Sequence, residues 1–425
     1  MNGLIDTYRA RDLLHDVTEG VAEHLEEASR TIYIGYDPTA SSLHLGHLLP
    51  IMGLVHAQRA GHSPIALVGG GTGLIGDPSG RTAERQLLSK DEAAANAEAI
   101  RGQLAHFLDF EVGSNPARMR NNLDWLGELA FVDFLRDIGK HFSVNQMLAK
   151  ESVKRRIEGE DGISYTEFSY ALLQSYDFLE LYRREGCTVQ MGGSDQWGNI
   201  TTGIDLVRRL EGAKAYGAVY PLLTNASGTK FGKSEGANVW LDGSLTSPFR
   251  FYQYWINVDD ADVVRFLKLF TLLPLDEIAG LADAVENEPH RRAAQVALAE
   301  DVTRRLHGES GLAGAQRATK ALFSGDIEGL DADAVAEVFA EVPSSEITAD
   351  ELGGEGAAII DLLVSSGLAS SRGDARRSVE GGGVYVNGHR VESVDHRITT
   401  ENTIEGRFVL LRKGKKSYHL VAVKR

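Results

Sequence analysis

The stretch Thr31-Ile32-Tyr33-Ile34-Gly35-Tyr36-Asp37-Pro38-Thr39-Ala40-Ser41-Ser42-Leu43-His44-Leu45-Gly46-His47 decides the fold. Its first six residues form a β-rich run, Asp37-Pro38 breaks it, and Leu48, Ile51, Met52 and Val55 follow at helical spacing until Gly61. Ile65-Ala66-Leu67-Val68 then reads as a second buried strand, closed by Gly69-Gly70-Gly71. Strand, helix and strand within this length imply parallel pairing through a right-handed crossover. The predicted class is therefore α/β, with a Rossmann-like parallel sheet whose ligands sit beyond the carboxyl ends of the strands. Thr188 to Met191 repeats the theme, ending in Gly192-Gly193-Ser194-Asp195-Gln196 before another helix.

The chemistry starts where the first helix does. A helix N-terminus offers free N–H groups and the positive end of its dipole, so it favours an anion. His44 and His47 can add ring N–H donors to phosphate oxygens there, Thr39 a hydroxyl, and Gly46 leaves room for a nucleotide against the backbone. Far along the chain, Gly228-Thr229-Lys230-Phe231-Gly232-Lys233-Ser234-Glu235-Gly236 forms a glycine-rich loop. Its lysines suit the charge that builds on a leaving pyrophosphate. It is not a phosphate-cradling P-loop, because the glycine spacing before Lys-Ser is wrong. Two imidazoles and two ammonium groups in this order point to activation of a substrate with ATP.

With 425 residues, two or three domains are expected. The single cysteine, Cys187, excludes a disulfide framework and a multi-cysteine zinc site. No apolar run approaches a membrane span, and the first residues lack an export signal, so a cytoplasmic protein without membrane contact is expected. The formal charge of -16 is unevenly spread: residues 356–425 hold 12 Lys and Arg against 7 Asp and Glu, whereas residues 326–355 hold 10 acidic residues and no basic one. The acidic stretch reads as a linker with at most a short helix, and the basic tail as a surface for an anionic partner, RNA foremost.

His44-Leu45-Gly46-His47 and Lys230-Phe231-Gly232-Lys233-Ser234 resemble the HIGH and KMSKS motifs of class I aminoacyl-tRNA synthetases. The segments Gly35 to Thr39, Gly73 to Gly80, Tyr165 to Asp177 and Gly192 to Asn199 are similar to those of the bacterial tyrosyl-tRNA synthetases in particular. Two departures are small: leucine stands for isoleucine in the first motif, and Lys-Phe-Gly-Lys-Ser for Lys-Met-Ser-Lys-Ser in the second.

The resemblance implies that L-tyrosine, ATP and tRNA are the substrates. It implies Tyr33 and Asp177 at the tyrosine hydroxyl, Tyr170, Gln174 and Asp77 at its α-ammonium, and Gln196 at its carboxylate. Gly35, Asp37, Thr39, His44, Gly46, His47, Gly192, Asp195, Lys230, Lys233 and Ser234 would hold ATP, with Thr39, His44, His47, Lys230 and Lys233 as the catalytic set. Magnesium would arrive on the nucleotide, with no metal held by the protein itself. The residue pattern supports the pocket independently: Ser164-Tyr165-Thr166-Glu167 has the form of a capping box, and Tyr170, Gln174 and Asp177 recur on one face of the helix it opens.

The domains expected are a catalytic domain at 1–238 with an insertion at about 110–163, a helical domain at 239–325, the acidic linker at 326–355, and an RNA-binding domain at 356–425. In the last, Arg372, Arg376, Arg377, Lys413, Lys415 and Lys416 are the expected phosphate contacts, and Asn387-Gly388 a hairpin turn. The family also implies a homodimer, through about Leu123 to Phe142. Two other readings share these features: another enzyme of the same nucleotidyl-transfer fold, and a non-catalytic RNA-binding protein on this scaffold.

Overall fold

The computed structural model describes residues 3–79, 88–111, 113–159, 162–226, 231–234, 237–414 and 417–424. The chain divides into two compact units, residues 1–247 with 254–306, and residues 248–253 with 307–425.

The first unit is built on a six-stranded sheet: β1 (Asp16–Val17), β2 (Thr31–Tyr36), β3 (Ser63–Val68), β4 (Arg118–Asn121), β5 (Cys187–Gly193) and β6 (Tyr216–Tyr220). Their spatial order is β1-β6-β5-β2-β3-β4, all neighbours being parallel except β1 with β6. Helices cover both faces of such a sheet, so its central strands are apolar on both sides, as Ile32, Ile34, Ile65, Ala66 and Val68 are. The order reverses between β2 and β5: from β2 the chain builds outward through β3 and β4, then returns to build β5 and β6 on the other side. A crevice opens at this switch point.

The Leu45–Arg59 helix connects β2 to β3, and the Tyr165–Glu185 helix leads into β5. The latter starts at Ser164, whose hydroxyl accepts from the Glu167 N–H, and stops at Gly186 in the left-handed region. The second half of the expected capping box is absent. Glu167 turns instead to Arg156, 3.0 Å away and equally buried, because a buried carboxylate needs a charged partner more than an exposed backbone N–H does.

β4 also lies inside the stretch expected to be an insertion. Arg118-Met-Arg-Asn carries no apolar alternation because it is an edge strand, and Arg118 and Arg120 both reach Glu185. The helices Asp260–Phe270 and Leu275–Asn287, with the Ala293–Ser324 helix as far as Leu306, complete this unit. Arg11 anchors the first of them by donating to the carbonyls of Lys268, Thr271 and Leu273 at its C-terminal end.

In the second unit five strands pair in the order His389–Arg390, Val384–Val386, Phe408–Lys413, Ser417–Lys424, Ser344–Thr348. The Asn387-Gly388 turn forms as expected, with φ of 49° and 85°. The acidic stretch is not a linker. It contributes the Ala332–Val338 helix and the Ser344–Thr348 strand, which pairs with Ser417–Lys424. Val335, Val338, Phe339, Ile347 and Leu352 are buried beneath the acidic residues, so charge on the solvent face masked an amphipathic pattern.

Candidate functional site

A cleft of about 810 Å³ lies at the switch point in the first unit. It brings together Tyr33, Gly35, Asp37, Thr39, His44, Gly46, His47, Asp77, Tyr170, Gln174, Asp177, Gly192, Asp195 and Gln196, residues drawn from both sides of the sheet. Lys230 lies outside the described residues. For Lys233 and Ser234 only the backbone is described, and it pairs with Ala237–Asn238.

One end of the cleft is buried. Asp177 accepts from Asn122 Nδ2 at 2.9 Å and from Trp125 Nε1 at 2.7 Å. Burial nevertheless pushes its carboxyl up to about 8, against the lowering from those two donors. The Tyr33 hydroxyl makes no hydrogen bond to a described residue. A hydroxyl-bearing ring is the natural occupant of a pocket holding a desolvated carboxyl and a phenol of this kind.

Toward the middle, carboxylates and amides interlock. Asp37 accepts from the Tyr170 hydroxyl and from Thr72, each at 2.8 Å, which holds the Tyr170 ring in place. Asp77 accepts from the Ser79 N–H and from Gln196 Nε2, at 2.9 and 2.7 Å. Asn199 donates to Gln174 Oε1 at 2.9 Å and so orients its amide. Burial, then the nearby Asp77, raise the Asp195 carboxyl above its ordinary range. Lys150, whose ammonium reaches Asn199 at 3.4 Å, is lowered to about 8 by burial, with Asp77 opposing. Asp37, Asp77 and Asp195 thus line one cleft.

The other end is the N-terminus of the Leu45–Arg59 helix. His44 is its N-cap: Nδ1 accepts from the Gly46 N–H at 3.0 Å, while the His44 N–H donates to His47 Nδ1 at 3.2 Å. Both Nδ1 atoms therefore act as acceptors, which leaves each Nε2 carrying the hydrogen it can offer an anion. A Cβ at Gly46 would lie 2.8 Å from the His44 ring and displace the cap.

Thr72, Asn122, Trp125, Lys150 and Asn199 escaped the sequence reading. Asn122 follows an edge strand that carried no signal, and Lys150 looks like any surface lysine. In the second unit Arg376 and Arg377 are exposed on the Arg372–Glu380 helix. Arg372 pairs with Asp361, and Lys413 with Asp374 at 3.0 Å; Lys415 and Lys416 lie outside the described residues.

Comparison with known proteins agrees with this geometry. Residues 25–324 match the family tRNA synthetases class I (W and Y), and residues 334–421 match the Tyrosine--tRNA ligase SYY-like C-terminal domain. A tyrosine--tRNA ligase of Roseiflexus castenholzii is 54% identical over 421 residues, covering 99% of each chain. That of Geobacillus stearothermophilus is 51% identical over 414 residues, covering 97% of each. Among solved structures, a C-terminally truncated mitochondrial tyrosyl-tRNA synthetase of Aspergillus nidulans superposes with a TM-score of 0.70 at 32% identity, over 76% of this chain and 95% of that one.

Proposed function

This chain belongs to the class I tRNA synthetases, in their tyrosine branch, and from that premise we propose how its cleft divides the work of joining tyrosine to tRNA. The activity is that of an ATP-dependent tyrosine--tRNA ligase. A tyrosine carboxylate oxygen attacks the α-phosphorus of ATP, and the bond to the bridging oxygen breaks so that pyrophosphate leaves with the electron pair. A terminal ribose hydroxyl of tRNA then attacks the acyl carbon, and AMP leaves.

In our reading Tyr33 and Asp177 receive the tyrosine hydroxyl. Tyr170, Gln174 and Asp77 hold the α-ammonium, and Gln196, fixed by its bond to Asp77, faces the carboxylate. Gly35, Gly192, Asp37 and Asp195 line the nucleotide's path. Thr39 and the Nε2–H groups of His44 and His47 meet the phosphates at the helix N-terminus, and Lys230, Lys233 and Ser234 approach the leaving pyrophosphate from the loop. Catalysis then rests on alignment and on fixed donors where charge develops. Enzymes of this class use ATP with Mg²⁺. We assign Mg²⁺ to the phosphate oxygens of the nucleotide.

The basic face of Arg376 and Arg377 is assigned to tRNA phosphates. A homodimer is supported by the exposure of Phe131 (64%), Val132 (71%) and Val144 (59%), apolar side chains gathered between β4 and the Tyr165–Glu185 helix. No helix among the described residues is long and apolar enough to cross a membrane; a cytoplasmic location remains part of the proposal.

The observation that carries the assignment of roles is the pairing, in one cleft, of a buried Tyr33 and Asp177 with a helix N-terminus capped by His44. Incorporation of labelled pyrophosphate into ATP, tested with each of the twenty amino acids, examines it. Tyrosine alone should support exchange, and equal exchange with tryptophan or phenylalanine would overturn the pocket assignment.

A further inference from the structure

We propose that Phe231 and Tyr254 are positioning residues that seat residues 231–234 of the loop on the first turn of the Leu45–Arg59 helix, so that the backbone of Lys233 is held in register with the two histidines. The proposal rests on the assignment of Lys233 to the leaving pyrophosphate and goes beyond it.

Phe231 stands between the two lysines in sequence, yet its own side chain is only 6% exposed. It stacks on Phe270 with centroids 5.1 Å apart and planes 8° from parallel, and meets Phe266, Trp255 and Tyr254 edge-on or tilted at 5.1, 6.0 and 6.1 Å. A glycine-rich segment has much conformational freedom to lose, and a buried ring beside it offsets that loss.

The next residue carries the register. The Gly232 N–H donates to the Tyr254 hydroxyl at 3.0 Å, and the Gly232 carbonyl accepts from the Val239 N–H at 3.0 Å. The Val239 carbonyl in turn accepts from the Leu45 N–H at 3.0 Å, and Leu241 N–H donates to the Leu43 carbonyl at 2.8 Å. Three backbone segments are thus zipped together, joining the loop to the residues on either side of His44. Gly232 sits at φ +83°, and a Cβ there would lie 3.2 Å from Leu45 Cβ and 3.3 Å from the Gly46 nitrogen. The loop backbone therefore lies directly on the helix start, at a distance only glycine allows. Tyr254 stays neutral at working pH, since burial raises its phenol to about 12.

Tyr254→Phe is the decisive variant. It keeps the ring that packs on Phe231 and Trp255 and deletes only the oxygen that receives the Gly232 N–H. Rapid mixing should show adenylate formation slowed up to about tenfold, because the loop loses one of the hydrogen bonds that hold it where the transition state requires it. Pyrophosphorolysis of the bound adenylate should slow by the same factor, because a transition-state contact leaves the chemical equilibrium untouched. Tyrosine affinity should not change, whereas the melting temperature should fall slightly for the hydrogen bond that is lost. Phe231→Leu should show the same split. Lys233→Ala is the reference. If it slows adenylation and Tyr254→Phe does not, the seat is overturned while the loop assignment stands; if neither does, both fall. A Tyr254→Phe enzyme that loses tyrosine affinity as much as adenylation rate would mark a purely structural role and overturn the proposal.

Discussion

Replacing Tyr33 by phenylalanine should weaken discrimination against phenylalanine while leaving the fold as stable as before or more so. Tyr33 is 1% exposed, its ring meets Phe178 edge-on at 5.3 Å, and its hydroxyl bonds to no described residue. The substitution preserves the ring packing and removes one oxygen. When tyrosine binds, its hydroxyl pairs with the Tyr33 hydroxyl and relieves the cost of that buried, unpaired group, about 1–3 kcal/mol, whereas a phenylalanine substrate leaves it unpaired. Taking the middle of that range, the mutant should narrow the ratio of kcat/KM for the two amino acids by about 2 kcal/mol, or roughly thirtyfold. Pyrophosphate exchange with each amino acid, at subsaturating concentration, measures that ratio. Because no intramolecular hydrogen bond is lost, the melting temperature of the ligand-free enzyme should hold or rise. An unchanged ratio, or equal losses for both substrates with a lowered melting temperature, would refute the claim that Tyr33 reads the hydroxyl.

Gly46→Ala should put a methyl 2.8 Å from the His44 ring, break a cap worth about 1 kcal/mol and slow adenylation, while tyrosine binding measured by equilibrium dialysis stays constant. The Asp177 carboxyl keeps its proton to about 8 in the folded state, whereas an unfolded chain releases it near the ordinary 3.8, so the folded state binds more protons in between. The stability it contributes is complete below about pH 4 and is lost as pH rises toward 8, and thermal melts across that window should show a shallower decline for Asp177→Asn. A chain ending at Ser324 keeps every residue of the cleft, so it should retain tyrosine-dependent pyrophosphate exchange and lose most tRNA charging; comparing both half-reactions in the two chains checks this. In the full chain, tRNA affinity should fall as salt rises, which filter binding across a salt series would measure.

The sheet and the helix N-terminus were legible because their signals are local. Thr31 to Tyr36 is apolar on both faces, and the break at Asp37-Pro38 fixes where the strand hands over to the helix. Tyr170, Gln174 and Asp177 were legible as one face because helix geometry alone relates them. What stayed hidden depends on partners distant in sequence. The Tyr170 hydroxyl is held by Asp37, 133 positions away, and Asp177 by Asn122 and Trp125, more than 50 positions away; neither pairing has a period or a spacing. The Ser344–Thr348 strand was lost for a different reason. It pairs with residues 420–424, so its stabilisation is nonlocal, while Glu346 and its acidic neighbours lend the segment the composition of a linker.

The two ends of the cleft solve opposite electrostatic problems. At the end we assign to the substrate's neutral phenol, burial suppresses the charge of the groups present: the Asp177 carboxyl is raised to about 8, and the Tyr33 and Tyr170 phenols are driven well above their usual range, first by burial and then by nearby carboxylates. Such groups are poor long-range attractors but discriminate sharply, because any that a wrong ligand leaves unpaired has no solvent to fall back on. At the phosphate end the ligand is a polyanion that must also depart, and deep burial would oppose its release. There the donors are a helix N-terminus and two histidines in the Nε2–H form, fixed in direction by their Nδ1 acceptors. In our assignment the remaining positive charge comes from the lysines of the glycine-rich loop, applied where charge builds on the leaving pyrophosphate. Asp77 lies between these ends, where in our assignment an α-ammonium pairs with it and sets the attacking carboxylate of the same amino acid toward the phosphates, while Asp37 and Asp195 face the nucleotide. In this assignment specificity and catalysis sit at opposite ends of one substrate, and the ammonium between them fixes the distance over which the first can serve the second.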